Sequence, residues 1–364
     1  MNLKDLCDSL EIIAPLQLQE NYDNSGLLIG DKYKIISKAI VSLDVTEDVL
    51  NEAIKENADV IISHHPLIFK PLKKITGSNM VERIVEKAIK NNIAIYAIHT
   101  NLDNVYTGVN HLLARQLELD NLEILEPKPE TLKKLMVYVP NTHLDILRNA
   151  LFAIGAGNIG NYDSCSFQSE GTGSFRALAG SNPYVGKTNQ LHFEAETKLE
   201  MIFPAYLRTK LIQTLRSNHP YEEPAFDIFA LENEWGKTGA GMIGFLKKPM
   251  EEINFLNHIK NKIGLACVRH SPLIGKSVQK IALCGGSGSF LIETAKKAGA
   301  DVFITADIKY HDFFDADNRI LIADIGHYES EQFTKQFLVD YLNEKFPNFA
   351  VRISERNTNV VNYL

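Results

Sequence analysis

Two eleven-residue stretches, AIKENADVIIS (Ala53 to Ser63) and AKKAGADVFIT (Ala295 to Thr305), share one pattern at an offset of 242 residues. Both read Ala-x4-Ala-Asp-Val-apolar-Ile-Ser/Thr, and each follows an earlier apolar run, KAIVSL or KIALC. Each unit therefore reads as strand–helix–strand, which requires parallel strands joined by a crossover helix. A second echo follows in each half. IHTNLD (Ile98 to Asp103) and GHYESE (Gly326 to Glu331) come after the apolar runs IAIYA and RILIA. In both, a histidine precedes a carboxylate by four residues, His99 before Asp103 and His327 before Glu331, now at an offset of 228. The halves are related but not identical, and the simplest fold is a duplicated α/β core with largely parallel sheets.

Between the halves lies a segment of another kind, bounded by the proline-broken LEPKPET and the glycine-rich LENEWGKTGAG. It has its own echo at an offset of 64, KLMVYVP (Lys134 to Pro140) against KLEMIFP (Lys198 to Pro204). Leu147 and Leu151 in one following helix match Leu211 and Leu215 in the other. With a strand in AFDIFALEN and one more before Lys198, the order becomes β-α-β-β-α-β, the ferredoxin-like α+β pattern. The expected division is core residues 1–126, insert 127–236 and core 237–364, as suits 364 residues, long for one core.

Composition narrows the function classes. A hydrophobic fraction of 45% and a charged fraction of 23% describe an ordinary globular protein. The net charge of −7 and the lack of a Lys/Arg run argue against a nucleic-acid tail. Cys7, Cys165, Cys267 and Cys284 are scattered with no CxxC pair, which fits neither a disulfide framework nor a zinc ribbon and suits a reducing cytoplasm. MNLKDLCDSLEIIAP reads as a charged amphipathic helix, not a signal peptide, and no run reaches membrane-spanning length.

The chemistry gathers at strand ends. ADVIISHHPLIF runs a buried strand directly into His64, His65 and Pro66. His99 and Asp103 follow a second strand, Asp307 and His311 a third, His327 and Glu331 a fourth. Sites in open α/β sheets form at the carboxyl ends of parallel strands. Neutral imidazole and carboxylate without thiolate suit Zn, Fe, Mn or Co. Three imidazoles and two carboxylates are too many for one tetrahedral metal with an open position, and enough for two if a carboxylate or a water bridges them. Adjacent histidines then make sense as ligands to different metals.

YDNSGLLIG, SHHPLIF, HTNLDNVYTGVN, TADIKYHD and GHYESE, in that family's order, closely resemble motifs of the GTP cyclohydrolase 1 type 2 homologue (Nif-three-like) family. The resemblance covers about residues 1–126 and 237–364. The middle segment resembles the PII/CutA-like insert of longer bacterial members, notably in GAGNIGNYDSCSF, EGTGSF and HPYEEPAFDI. It implies a dinuclear centre with ligands His64, His65, Asp103, His327 and Glu331, Glu331 bridging, hence two divalent ions per chain. It also implies a toroidal homohexamer whose centres face an internal cavity.

His99 is read either as a buried structural histidine or as a group behind the ligands that shuttles a proton; Glu331 is the other catalytic candidate. Asp307, Tyr310 and His311 are expected to line the pocket. CGGSGSF (Cys284 to Phe290) is expected to be a tight strand-to-helix turn, SEGTGSF and HPYEEP are expected to be loops, and YDNSGLLIG an Asx-type turn near Asp23 and Asn24. Two functions follow: a metal-dependent hydrolase of a nucleotide or phosphorylated small molecule, or a non-catalytic metal-binding regulator with a ligand-sensing insert. Passage of single-stranded nucleic acid through a ring is the least favoured.

Overall fold

The apolar, β-branched runs KAIVS, VIIS and AIYA form three parallel strands, β2 (Lys38–Ser42), β3 (Val60–Ser63) and β4 (Ala94–Ala97), in the register Ser42–Ser63–Ala97. The structure is a computed structural model that describes all residues from Met1 to Leu364. An antiparallel edge strand, β1 (Gly26–Ile29), flanks β4, and β15 (Ala350–Ile353) lies parallel to β2, giving the order β1-β4-β3-β2-β15. The crossovers are α2 (Glu47–Lys55) and α3 (Met80–Lys90). The Thr46 hydroxyl accepts the Val49 N–H at the start of α2, and the Asn79 side chain accepts the Glu82 N–H at the start of α3. Ahead of the sheet, α1 (Leu3–Ile13) begins with an Asn2/Asp5 capping box and buries Leu3, Leu6 and Leu10 completely. After β4 come the short α4 (Thr100–Asp103) and α5 (Val109–Gln116).

The second sheet has the order β11-β14-β13-β12-β10-β5. Its strands are β5 (Asp120–Pro127), β10 (Gly239–Glu251), β11 (Arg269–His270), β12 (Ser277–Ser287), β13 (Val302–Ala306) and β14 (Leu321–Asp324). β12, β13 and β14 are parallel and repeat the β2-β3-β4 arrangement, with α9 (Ile292–Lys297) as the counterpart of α2. The expectation of largely parallel sheets holds for the first sheet and needs correction for the second. There β5–β10, β10–β12 and β11–β14 are antiparallel, because β5 and β10 lie side by side with Pro127 opposite Gly239. α8 (Glu252–Ile263) closes on Gly264 in the left-handed conformation, φ 77°. GHYESEQF supplies α10 (His327–Glu331), and α11 (Phe333–Lys345) carries the chain back to β15 in the first sheet. Residues 1–127 and 236–364 thus form one compact unit.

Lys128–Trp235 is a second unit. Its elements run β6 (Leu132–Pro140), α6 (Leu144–Ala153), β7 (Phe167–Arg176), β8 (Leu191–Pro204), α7 (Arg208–Asn218) and β9 (Phe226–Ala230). The sheet order is β7-β8-β6-β9, antiparallel throughout. Leu147, Leu151, Leu211 and Leu215 are fully buried against Leu135, Val137, Leu199 and Phe203 of the sheet. SEGTGSF is not a loop: it lies within β7, paired residue for residue with β8, its glycines admitted by backbone hydrogen bonding rather than by propensity. No helix of the chain is long and apolar enough to cross a membrane.

Candidate metal centre

The histidine pair sits just beyond β3. The His64 and His65 amides continue the sheet's pairing onto the carbonyls of Ser42 and Leu43, at 3.3 and 2.9 Å. Both rings nevertheless face one place, with centroids 5.0 Å apart. His99 and Asp103 come from the turn after β4, and His327 and Glu331 lie one helical turn apart on α10. The two halves of the core meet at these residues.

Each imidazole is held by its Nδ1. His64 donates to the Ile98 carbonyl at 2.8 Å, His65 to Asp44 at 2.8 Å, His327 to Asp307 at 2.7 Å and His99 to Asp23 at 2.7 Å. A carbonyl or carboxylate there places the proton on Nδ1 and leaves Nε2 a free lone pair, the arrangement typical of metal-ligating histidines. The Nε2 atoms of His65 and His327 are 3.2 Å apart and lie 3.0 and 3.1 Å from Glu331 Oε2. His64 Nε2 lies 3.6 Å from Asp103 Oδ1 and 3.7 Å from Glu331 Oε1. The donors form two triads, His65/His327/Glu331 and His64/Asp103/Glu331, and a third group joins His99 to His64 and His65. Each carboxylate oxygen of Glu331 faces one triad.

These residues fit a metal. His64 Nε2 and Asp103 Oδ1 are buried and make no hydrogen bond, a costly arrangement unless a cation completes it. CGGSGSF makes room for this. A Cβ on Gly286, whose φ is 62°, would come within 2.3 Å of Glu331 Oε1. The Gly286 N–H donates to the Ser330 hydroxyl on α10 and the Gly285 N–H to Asn110 on α5, so this stretch, whose Cys284–Ser287 closes β12 instead of forming the expected turn, is fastened to both helices.

The electrostatics agree. Burial, helped by the Glu331 carboxylate, pushes the Asp103 carboxyl well above the usual carboxylate range. Burial alone would also raise Glu331, but the His64, His327 and His65 imidazoles outweigh it and hold Glu331 well below. Burial lowers His64. For His65 and His327 burial is overcome, by Asp44 with Glu331 and by Asp307 with Glu331, raising them to about 9 and about 11. In the metal-free chain protons occupy part of the place a divalent ion would take.

The structure gathers His64, His65, His99, Asp103, His327 and Glu331, and puts Asp307 directly behind His327. Tyr310 and His311 are not brought in. After Asp307, in the left-handed conformation at φ 56°, the chain turns outward, and both side chains are exposed and packed with Phe314 rather than lining the cavity. Two contributors had no clear sequence signal, Asp44 and Arg269, while Gly286 lies in CGGSGSF, read from sequence only as a turn. YDNSGLLIG hinted at Asp23, whose carboxylate takes the Thr100 N–H and hydroxyl besides His99. A cavity of about 620 Å³ opens beside His65 and His327. Arg269, paired with Asp324 at 2.9 Å, and the tail residues Thr358 to Val361 form part of its wall.

A two-unit α/β protein with a histidine–carboxylate cluster between duplicated halves is what fold and site define. The chain belongs to the Duf34/NIF3 (NGG1p interacting factor 3) family, whose model matches residues 1–360. It is 41% identical over 333 residues to the GTP cyclohydrolase 1 type 2 homolog of Halalkalibacterium halodurans, covering 91% of this chain and 89% of that one. It is 39% identical over 370 residues to the protein so named in Bacillus subtilis, covering 100% and 99%. The solved structure of a Bacillus cereus protein related to NIF3 superposes with a TM-score of 0.87 at 39% identity, covering 100% of this chain and 99% of that one.

Proposed function

We propose that the chain is a hydrolase with two divalent metal ions, acting on a nucleotide or phosphorylated small molecule. The carrying observation is Glu331, whose two oxygens each face a separate donor triad. His64 with Asp103 would hold one ion and His65 with His327 the other, Glu331 serving both. A bound pair supplies Lewis acidity and hydroxide near neutral pH, drawn from Zn, Fe, Mn or Co.

The chain's own residues supply the rest. His99 is the proton-transfer group: its Nδ1–H is tied to Asp23, so its Nε2 faces the centre. Asp23 stays ionised because its bonds from His99 and Thr100 outweigh burial. Arg269 presents a half-exposed guanidinium in the cavity wall, suited to a phosphate. The relatives' name points to a GTP-like purine nucleotide, and phosphoester hydrolysis suits the same groups. We further infer that the insert is ferredoxin-like and PII/CutA-like, that the assembly is a homohexameric ring, and that the protein works in the cytoplasm.

The test is metal content per chain, followed by a nucleotide screen with the metal found. About two ions per chain are expected, with both metal and turnover collapsing in Glu331→Ala. Two ions with no turnover across the panel would overturn the hydrolase reading and favour a metal-binding regulator. No metal after supplementation would overturn both.

A further inference from the structure

The insert holds a cavity of its own, about 240 Å³, walled by the rings of Tyr138, Phe175, Tyr184 and Tyr221. Phe175 and Tyr184 stand 5.8 and 6.3 Å from Tyr221, tilted to it by 59° and 46°. Glutamates line the same wall, and no lysine or arginine does. A wider groove of about 440 Å³ continues along β7, sharing Tyr138 and Glu196. Its one lysine, Lys198, is paired with Glu200 at 3.4 Å.

Glu196 is the unusual member. It is only 9% exposed, lines both cavities, and forms no ion pair. Its carboxylate lies across Gly173, where a Cβ would come within 2.1 Å of Oε2, so the glycine of EGTGSF makes the space it occupies. The Tyr221 hydroxyl is also closed off from solvent and completes no hydrogen bond of good geometry, although burial and the nearby Glu196 together raise its pKa. A carboxylate that lines a cavity with no cation beside it favours a positively charged occupant.

The walls are built rather than incidental. His219 Nε2–H donates to the Tyr138 carbonyl at 2.9 Å, and its Nδ1 accepts the Tyr221 N–H at 3.1 Å, fastening HPYEEP to β6. Glu222 accepts the Asn182 N–H at 3.1 Å, which ties the β7–β8 connection to the same loop. Glu222 is thereby engaged, and Glu196 is left to face the cavity.

We propose that this cavity binds a small organic cation, an alkylammonium group set against the Phe175, Tyr184 and Tyr221 rings with Glu196 as its counter-charge. Aromatic faces attract such cations, most strongly where water is excluded. Calcium or magnesium would instead require six or more oxygens, and the wall offers rings in their place. A nucleotide or other anion is repelled by the same glutamates. The inference concerns the insert alone and does not rest on turnover in the core.

The experiment is calorimetric titration of the full metal-loaded chain with choline, n-butylammonium and the uncharged tert-butyl isostere of choline. One saturable site for at least one cation is expected, with the isostere about tenfold weaker or worse. Glu196→Gln should weaken the cation about tenfold or more, since it removes the counter-charge. Tyr184→Leu, at the exposed rim, should weaken binding several-fold, and both variants should keep their metal content. Equal binding of cation and isostere, no binding of either cation, or a Glu196→Gln variant that binds as wild type would overturn the proposal.

Discussion

Asp44, Asp307 and Asp23 stand behind the imidazoles, and each decides which ring nitrogen is available. Asp44 does so twice over, since it also takes the Thr358 hydroxyl at 2.7 Å and so links the C-terminal tail to His65. Asp44→Asn should lower metal affinity about 10–100-fold while the fold persists, as measured by competition with a chromogenic chelator. Gly286→Ala should be more severe, because the added methyl overlaps Glu331 Oε1 and the backbone is left-handed. Metal content should fall sharply, with stability down about 1–3 kcal/mol in denaturant titration. Protonation gives a third expectation. In the chelated protein, His65⁺ and His327⁺ stabilise the fold fully below their unfolded pKa of about 6.5. That stability is lost as pH rises through about 9 and about 11. Metal loading displaces both protons, so titrating metal into apoprotein near neutral pH should release protons, seen as enthalpies that depend on buffer. Loading without proton release would contradict the assignment of His65 and His327 as ligands.

At the scale of elements, the N-terminus of α3 carries an expectation apart from the site. Glu82 accepts the backbone amides of Thr76 and Ser78 besides the Thr76 hydroxyl, and these bonds hold its carboxyl down at about 2. A depressed carboxyl contributes stability above its unfolded pKa, about 4.3, that is lost as pH falls towards the folded value. Amide exchange at Thr76 and Ser78 should accelerate relative to the global rate as pH drops through that window, and Glu82→Gln should remove the acid dependence. Strands and helices of this kind were legible beforehand. The echo AIKENADVIIS/AKKAGADVFIT became α2–β3 and α9–β13 because apolar periodicity and a buried parallel strand are local properties. SEGTGSF was misread as a loop for the complementary reason: glycine and serine carry turn propensity, and only pairing with β8 makes them a strand.

In the whole molecule, β5 and β10 form an antiparallel pair from which the insert leaves and to which it returns, with Pro127 opposite Gly239. Replacing residues 128–235 by a short turn should therefore close a hairpin. The shortened chain should unfold cooperatively and keep its metal content, measured by calorimetry and elemental analysis. Loss of metal with the insert would show that the core depends on it.

From sequence alone came the doubled strand–helix–strand unit, the interruption between the halves, and the histidines and carboxylates at strand ends. All of these are written in short-range patterns, and the family resemblance implied which five of them would serve as ligands. Tertiary structure decided the rest. It returned β15 to the first sheet, put Glu331 between two triads, set Asp44 behind His65, and turned Tyr310 and His311 outward. Those outcomes depend on residues far apart in the chain meeting at a few ångströms, where excluded volume and burial of charge, rather than local propensity, choose the arrangement.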